Sequence, residues 1–265
     1  MIETQIRQLP DIHVRIFPAS PKVRLDSRAA EVSKMANGSH DSSIHDRSRG
    51  LTRLARWFTP NRDNALAQYR SRAPIYDLEL ALLAPVRHRA IEMLGLKRGD
   101  RALDVGCGTG LSFAALEELI GADGSITGIE QSPEMLELAR ARAVEQHWQN
   151  VTLVSSPVED ALIPHAVDAA LFHFTHDIMR TRAAVANVVK HVRPGGTIVA
   201  AGLKWAPLRS MALNPLVWGA AMRSTSTLEG LSRPWSHLEE LVPNLVVEEM
   251  LAGTVFVVKG TIPSA

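Results

Sequence analysis

From residue 101 onward, short apolar runs alternate with stretches whose apolar positions recur at helical spacing. The runs cover 101–105, 125–129, 151–154, 167–172 and 197–201, each bounded by turn-forming residues, as expected of buried parallel strands. Between them, Leu111, Phe113, Ala114, Leu116, Leu119 and Ile120 predict one amphipathic helix, stopped by Gly121. Met135, Leu138, Ala139 and Ala143 predict a second, opened by Ser132 as N-cap and Pro133 as first helical residue. Val185, Val188, Val189 and Val192 predict a third, ended by Pro194-Gly195-Gly196. Residues 245–247 and 254–259 read as two last strands. Strand and helix in regular alternation predict an α/β domain with a doubly wound, mostly parallel sheet.

Upstream the pattern changes. Residues 87–94 continue as an amphipathic helix, and 64–83 read as a helix interrupted by Pro74. Residues 51–58 are apolar at helical spacing and closed by Pro60, either a lid or a packing helix. Residues 35–50 carry almost no large apolar side chain, the composition of a disordered arm, and only 12–17 suggest a short strand. The expected division is an N-terminal extension over 1–55, a helical cap over 56–95 and the main domain over 96–265, with an insertion near 203–235. Met35 is a second candidate start of translation, which intact mass would decide.

Composition narrows the function classes. The chain has 265 residues, 46% of them hydrophobic, enough for one sizeable core with an appendage. Its formal charge of +1 suggests neither a nucleic-acid nor a membrane partner. With one cysteine there is no intrachain disulfide, and the expected setting is reducing and cytoplasmic. No apolar run approaches the roughly 18 residues of a membrane span, and the N-terminus lacks a secretory signal core. No H-E-x-x-H motif or cysteine pair accompanies the histidines, so no metal is expected.

The chemistry concentrates after the first run. Gly106, Gly108 and Gly110 alternate with small residues, which permits a sharp turn and a close backbone approach to a ligand. The first turn of the next helix aims its free N–H groups at that loop. Cys107 lies within it, read as a small side chain rather than a reactive thiol. Glu130 ends the second strand about 20 positions beyond Gly110, the separation at which a carboxylate reaches both hydroxyls of a ribose. The ligand therefore carries a nucleoside. A dinucleotide fingerprint would read G-x-G-x-x-G, whereas this loop reads G-C-G-T-G. Asp104, two residues before the loop, is within reach of a ligand ammonium.

LDVGCGTG followed by ITGIEQSPEML resembles motif I and its acidic successor in the class I S-adenosylmethionine-dependent methyltransferases. VDAALFHFTHD (167–177) and HVRPGGTIVAAG (191–202) are similar to later segments of the same family, and the resemblance spans roughly residues 69–260. It implies a seven-stranded Rossmann-like methyltransferase fold with a helical N-terminal cap, and S-adenosylmethionine as cofactor. Around it the resemblance places Asp104, Gly106, Cys107, Gly108, Gly110, Glu130, Gln131, Pro157, Val158, Glu159 and Phe172. The segment 64–83 resembles the ubiquinone/menaquinone C-methyltransferase branch, which would set Tyr69 near the donor and Tyr76 near the acceptor. The alternative is two aromatics anchoring a helix to the sheet. One departure concerns the turn after the third strand, where family members often place an Asp against the adenine. Here it reads Ser156-Pro157-Val158, so main-chain groups of Val158 or the Glu159 carboxylate would substitute.

His173, His176 and Asp177 follow the fourth strand, where a parallel sheet presents reacting groups. Either histidine is a candidate base, with Asp177 as its orienter; the alternative is a histidine that simply bonds backbone carbonyls. Trp205 and Trp218, with Trp235 nearby, suggest either a pocket for a flat or greasy acceptor or core and dimer contacts. The reading reached is methyl transfer to a small, apolar or aromatic acceptor of secondary-metabolite, quinone or lipid type. A macromolecular acceptor and a non-methylating binding protein are the alternatives, and a homodimer is left open.

Overall fold

A computed structural model of the chain describes residues 16–17, 83–225 and 228–264. The strands are β1 (Ile16–Phe17), β2 (Arg101–Val105), β3 (Ser125–Glu130), β4 (Val151–Ser155), β5 (Val167–His173), β6 (Val192–Leu203), β7 (Val246–Met250) and β8 (Val255–Thr261). They form one sheet in the order β1-β4-β3-β2-β5-β6-β8-β7. The pairs from β1 through β6 are parallel, and β8 runs antiparallel to both β6 and β7. Seven strands are those expected. The eighth, β1, has two residues and falls within the 12–17 patch.

The central strands read as near-continuous apolar runs because helices cover both faces. On one face, α1 (Ala84–Leu94), α2 (Phe113–Ile120) and α3 (Pro133–Glu145) bury Val86, Ala90, Leu116 and Ala139 against Ala102, Leu153 and Leu171. On the other, α5 (Arg182–His191) and α7 (Ser236–Leu241) bury Val185, Val188 and Leu238 against Leu103, Ile129 and Phe172. The one-turn helix α4 (His176–Met179) adds Met179 to this second cluster, and α6 (Asn214–Ser224) is preceded by a 3₁₀ turn at Leu208–Leu213.

Helix boundaries follow local chemistry. The Ser132 hydroxyl accepts from the Met135 amide at 3.4 Å, and Pro133 opens α3. The buried stripe of α3 differs from the expected one: Leu136 is buried and Leu138 is 41% exposed. The face against the sheet runs through Met135, Leu136, Ala139 and Ala143, leaving Leu138 on the flank. In α2, Ala114 is likewise exposed, and Ala115 packs on the core.

The chain runs β2, β3, β4 toward one edge, then returns to set β5 on the other side of β2. That reversal opens a crevice beyond the carboxyl ends of β2 and β5. It places the 106–110 loop beside residues 173–177. The expectations for the arm, for the helices at 51–58 and 64–83, and for Tyr69 and Tyr76 lie outside the described residues.

Candidate functional site

The alternation of glycines after β2 has a conformational cause. Gly106, Gly108 and Gly110 have φ of 68°, 56° and 76°, the left-handed region in which a Cβ is penalised. The loop is tied to β3 by the Cys107 amide on the Ile129 carbonyl at 2.9 Å, and closed on itself by the Gly110 amide on the Cys107 carbonyl at 2.9 Å. It also needs Gly128, which sequence reasoning passed over. A Cβ there would stand 2.9 Å from both Cys107 Sγ and Phe113 Cζ. A glycine inside a strand was the available signal.

Glu130 faces this loop from the end of β3. Its Oε2 accepts from the Gly108 amide at 3.1 Å and its Oε1 from the Ser132 amide at 2.8 Å. Burial raises its pKa, opposed by these backbone donors. Asp104 is only 2% exposed, and its Oδ2 has no hydrogen-bond partner. Burial pushes its carboxyl up to about 7; the Arg87 guanidinium from α1 pulls it down and Glu130 pushes it further up. A buried carboxylate oxygen without a donor is a rare and costly arrangement, and an incoming cation relieves it. Cys107 is buried, with its thiol pushed well above the ordinary range, first by burial and then by Asp104. It stays protonated, in keeping with a small filler rather than a nucleophile.

Beyond β4, residues Val158–Asp160 form a 3₁₀ turn that places Val158 inside and Glu159 outside. Asn187 of α5 fixes this turn, its Nδ2 donating to the Val158 carbonyl at 2.8 Å and the Ala161 carbonyl at 3.0 Å. No local pattern identified Asn187, because the contact spans 29 residues. Pro157 caps the turn and Gln131 follows Glu130, both partly buried at the crevice side of the sheet. Phe172 departs from the expectation: its side chain is fully enclosed in the core beneath α5, so it can offer a ligand no side-chain contact.

After β5 the chain bends sharply. Phe174 adopts φ of 56°, unusual for an aromatic residue, while its amide donates to the Ala201 carbonyl at 2.7 Å. The bend lays Thr175 and Ile178 over the glycine loop, and a Cβ on Gly106 would lie 2.7 Å from each. Beside them is a partly open recess lined by Phe174, Thr175, His176, Met179, Ala201, Gly202, Leu203, Thr225, Pro234 and Phe256. The glycine loop and this recess thus share Thr175 as a wall.

The two histidines are not equivalent. His173 Nε2 is buried without a hydrogen-bond partner, and burial together with Arg87 pushes its pKa down to about 3, so it stays neutral. His176 lines the recess, with Nε2 at 3.0 Å from the Glu229 carbonyl. Burial lowers its pKa and the Asp177 carboxylate opposes that. With Nε2–H donating to Glu229, Nδ1 carries the free lone pair. Neither Trp205 nor Trp218 lines the recess. Trp205 is half-buried with its amide on the Leu231 carbonyl at 2.9 Å, and Trp218 is 52% exposed on α6. Trp235 supports the recess from behind instead, its ring 5.0 Å from that of Phe256. Among the described residues no His, Cys, Asp or Glu cluster could hold a metal, and no helix is long and apolar enough to cross a membrane.

Gly106→Ala is expected to strain the φ of 68° and to collide with Thr175 and Ile178. The left-handed penalty alone is about 1–2 kcal/mol. A melting temperature lowered by several degrees, with parallel loss of ligand binding, is the expected result of thermal denaturation and calorimetry on the variant.

Eight strands wound about a switch point, with a glycine loop faced by a strand-end carboxylate, define a Rossmann-like fold of the methyltransferase class. Residues 102–196 match the family model described as a methyltransferase domain. The chain is 28% identical over 141 residues to a malonyl-[acyl-carrier protein] O-methyltransferase from Serratia marcescens, covering 53% of this chain and 53% of that protein. It is 30% identical over 118 residues to a demethylmenaquinone methyltransferase from Staphylococcus aureus, covering 43% of this chain and 47% of that one. It therefore spans about half the length of the curated relatives it matches. Among solved structures, a SAM-dependent O-methyltransferase from Thermotoga maritima shares the fold at a TM-score of 0.52 and 17% identity, over 68% of this chain and 66% of that one.

Proposed function

We propose that this protein transfers the methyl group of S-adenosylmethionine to a small, largely apolar acceptor. The observation that carries the reading is the pairing of two carboxylates about one loop. Glu130 faces Gly108 across the crevice, and Asp104 beneath holds an oxygen without a donor. A ligand with vicinal sugar hydroxyls and an ammonium group suits that pair. The hydroxyls would donate to Glu130, whose two oxygens have acceptor capacity beyond the backbone amides they hold, and the ammonium would satisfy Asp104. Val158, buried beside the crevice, would flank the base, with Glu159 outside it.

When bound, the donor supplies a methyl group already activated on a positively charged sulfur. What remains for the chain is to position the acceptor, exclude water and, for an O–H or N–H acceptor, remove a proton. Thr175 and Ile178 cover the loop, and the apolar walls of the recess exclude water. His176 Nδ1 would take the proton, its tautomer set by the Glu229 carbonyl and the resulting charge eased by Asp177. His173, held neutral by burial and Arg87, is the weaker base. That one relative is named for demethylmenaquinone supports an acceptor with an apolar frame.

Incubation of the full chain with S-adenosylmethionine and a panel of phenols, quinols and hydroxylated polyketides tests the reading by mass spectrometry. S-adenosylhomocysteine should form in equal amount with a methylated product. Donor binding with no product from any acceptor class would favour a non-methylating nucleoside-binding protein.

A further inference from the structure

We propose that Thr175 anchors the acceptor, its hydroxyl hydrogen-bonding a single oxygen of an otherwise apolar, flat molecule seated in the recess between α4, β6 and β8. The inference deepens the methyl-transfer reading and rests on it. Thr175 occupies the N-cap position of α4, where a threonine hydroxyl ordinarily accepts from the helix's second or third amide. Here it makes no such bond. Its Oγ1 is nonetheless buried and has no hydrogen-bond partner. A hydroxyl that could cap a helix but is instead withheld from every neighbour is an arrangement folded proteins rarely keep without use.

The backbone around it is shaped to the same end. The main-chain carbonyl of Thr175 accepts from the Met179 amide at 3.0 Å, which fixes the residue although its side chain is unengaged. The left-handed Phe174 immediately before it is a conformation that persists only when the surroundings impose it. Its consequence is that the Thr175 methyl packs on Gly106. The rest of the recess offers an acceptor almost nothing polar, because Met179, Leu203, Pro234 and Phe256 dominate its walls. The other polar side chains are His176, whose Nε2 is taken by the Glu229 carbonyl, and Thr225, whose hydroxyl donates to the Ala221 carbonyl at 3.0 Å. A hydroxyl both donates and accepts, so the matching atom is a phenolic, enolic or carbonyl oxygen. The acceptor class that fits is therefore an oxygenated aromatic or quinol, held by one oxygen with its ring among apolar side chains.

Ligand-observed NMR on the full-length chain saturated with S-adenosylhomocysteine, with 1-naphthol and naphthalene as probes, tests this. The wild type should bind 1-naphthol about tenfold more tightly than naphthalene, the worth of one buried hydrogen bond. Thr175→Val, which keeps the shape and removes the hydroxyl, should bring the two within about twofold, and Thr175→Ser should restore the preference. A preference that survives in Thr175→Val would overturn the proposal, as would a wild type that binds S-adenosylhomocysteine but neither probe. Absence of S-adenosylhomocysteine binding in the wild type would instead remove the methyl-transfer reading beneath it.

Discussion

Glu130→Ala is expected to abolish measurable S-adenosylmethionine binding while the sheet stays folded. The carboxylate contributes twice. Within the protein its oxygens hold the amides of Gly108 and Ser132, at 3.1 and 2.8 Å, and so set the shape of the glycine loop. Toward the ligand, in the proposed reading, it would accept from sugar hydroxyls. Hydrogen bonds to a charged partner contribute about 1.5–3 kcal/mol each. Two of them together amount to a loss of roughly 100-fold or more in affinity. Glu130→Gln separates the contributions, since an amide oxygen still accepts one backbone bond but lacks the charge and the second acceptor. It should melt close to the wild type and bind with an intermediate affinity. Calorimetric titration with thermal melts on both variants checks this, and unchanged affinity in Glu130→Ala would remove the ribose role.

The second large effect concerns pH. In the ligand-free protein the Asp104 carboxyl sits at about 7 because it is buried, against about 3.9 in an unfolded chain. Between pH 4 and 7 the folded carboxyl retains a proton that the unfolded one has released. Stability attributable to Asp104 is therefore present below pH 4 and falls as pH rises toward 7. A bound ammonium reverses the preference by favouring the carboxylate, so binding below pH 7 expels a proton. Donor affinity should rise roughly tenfold from pH 6 to pH 7.5 and level off above. Asp104→Asn should bind more weakly and lose most of that dependence. Calorimetry in buffers of different ionisation enthalpy counts the released proton, and an Asp104→Asn profile parallel to the wild type would reject the assignment.

What the sequence revealed of this site and what it concealed have distinct physical origins. The glycine loop, Asp104 and Glu130 sit within one strand-loop-helix-strand unit, so their geometry is written in short spacings. The existence of the strands and the mostly parallel sheet were legible in the alternation of apolar runs and helical stretches. Phe172 and His173 were harder to separate, because adjacent strand residues face opposite sides and only the packed helices decide which side is core. Phe172 went beneath α5 and His173 to the opposite face. Trp218 and Trp235 look alike in the sequence, yet one is half-exposed on α6 and the other packs behind Phe256. Asn187 and Gly128 serve contacts made only when distant segments meet. Thr175 was passed over because its significance is a bond not made, which no local pattern records.

The measurement that bears most directly on the account is a calorimetric titration of the full chain with S-adenosylhomocysteine at pH 7.5, in wild type and Glu130→Ala. One site of micromolar affinity in the wild type, lost in a variant that still melts cooperatively, is the predicted outcome. A folded wild type that binds no S-adenosylhomocysteine, or a variant that binds it equally well, would contradict the nucleoside site on which the proposed chemistry rests.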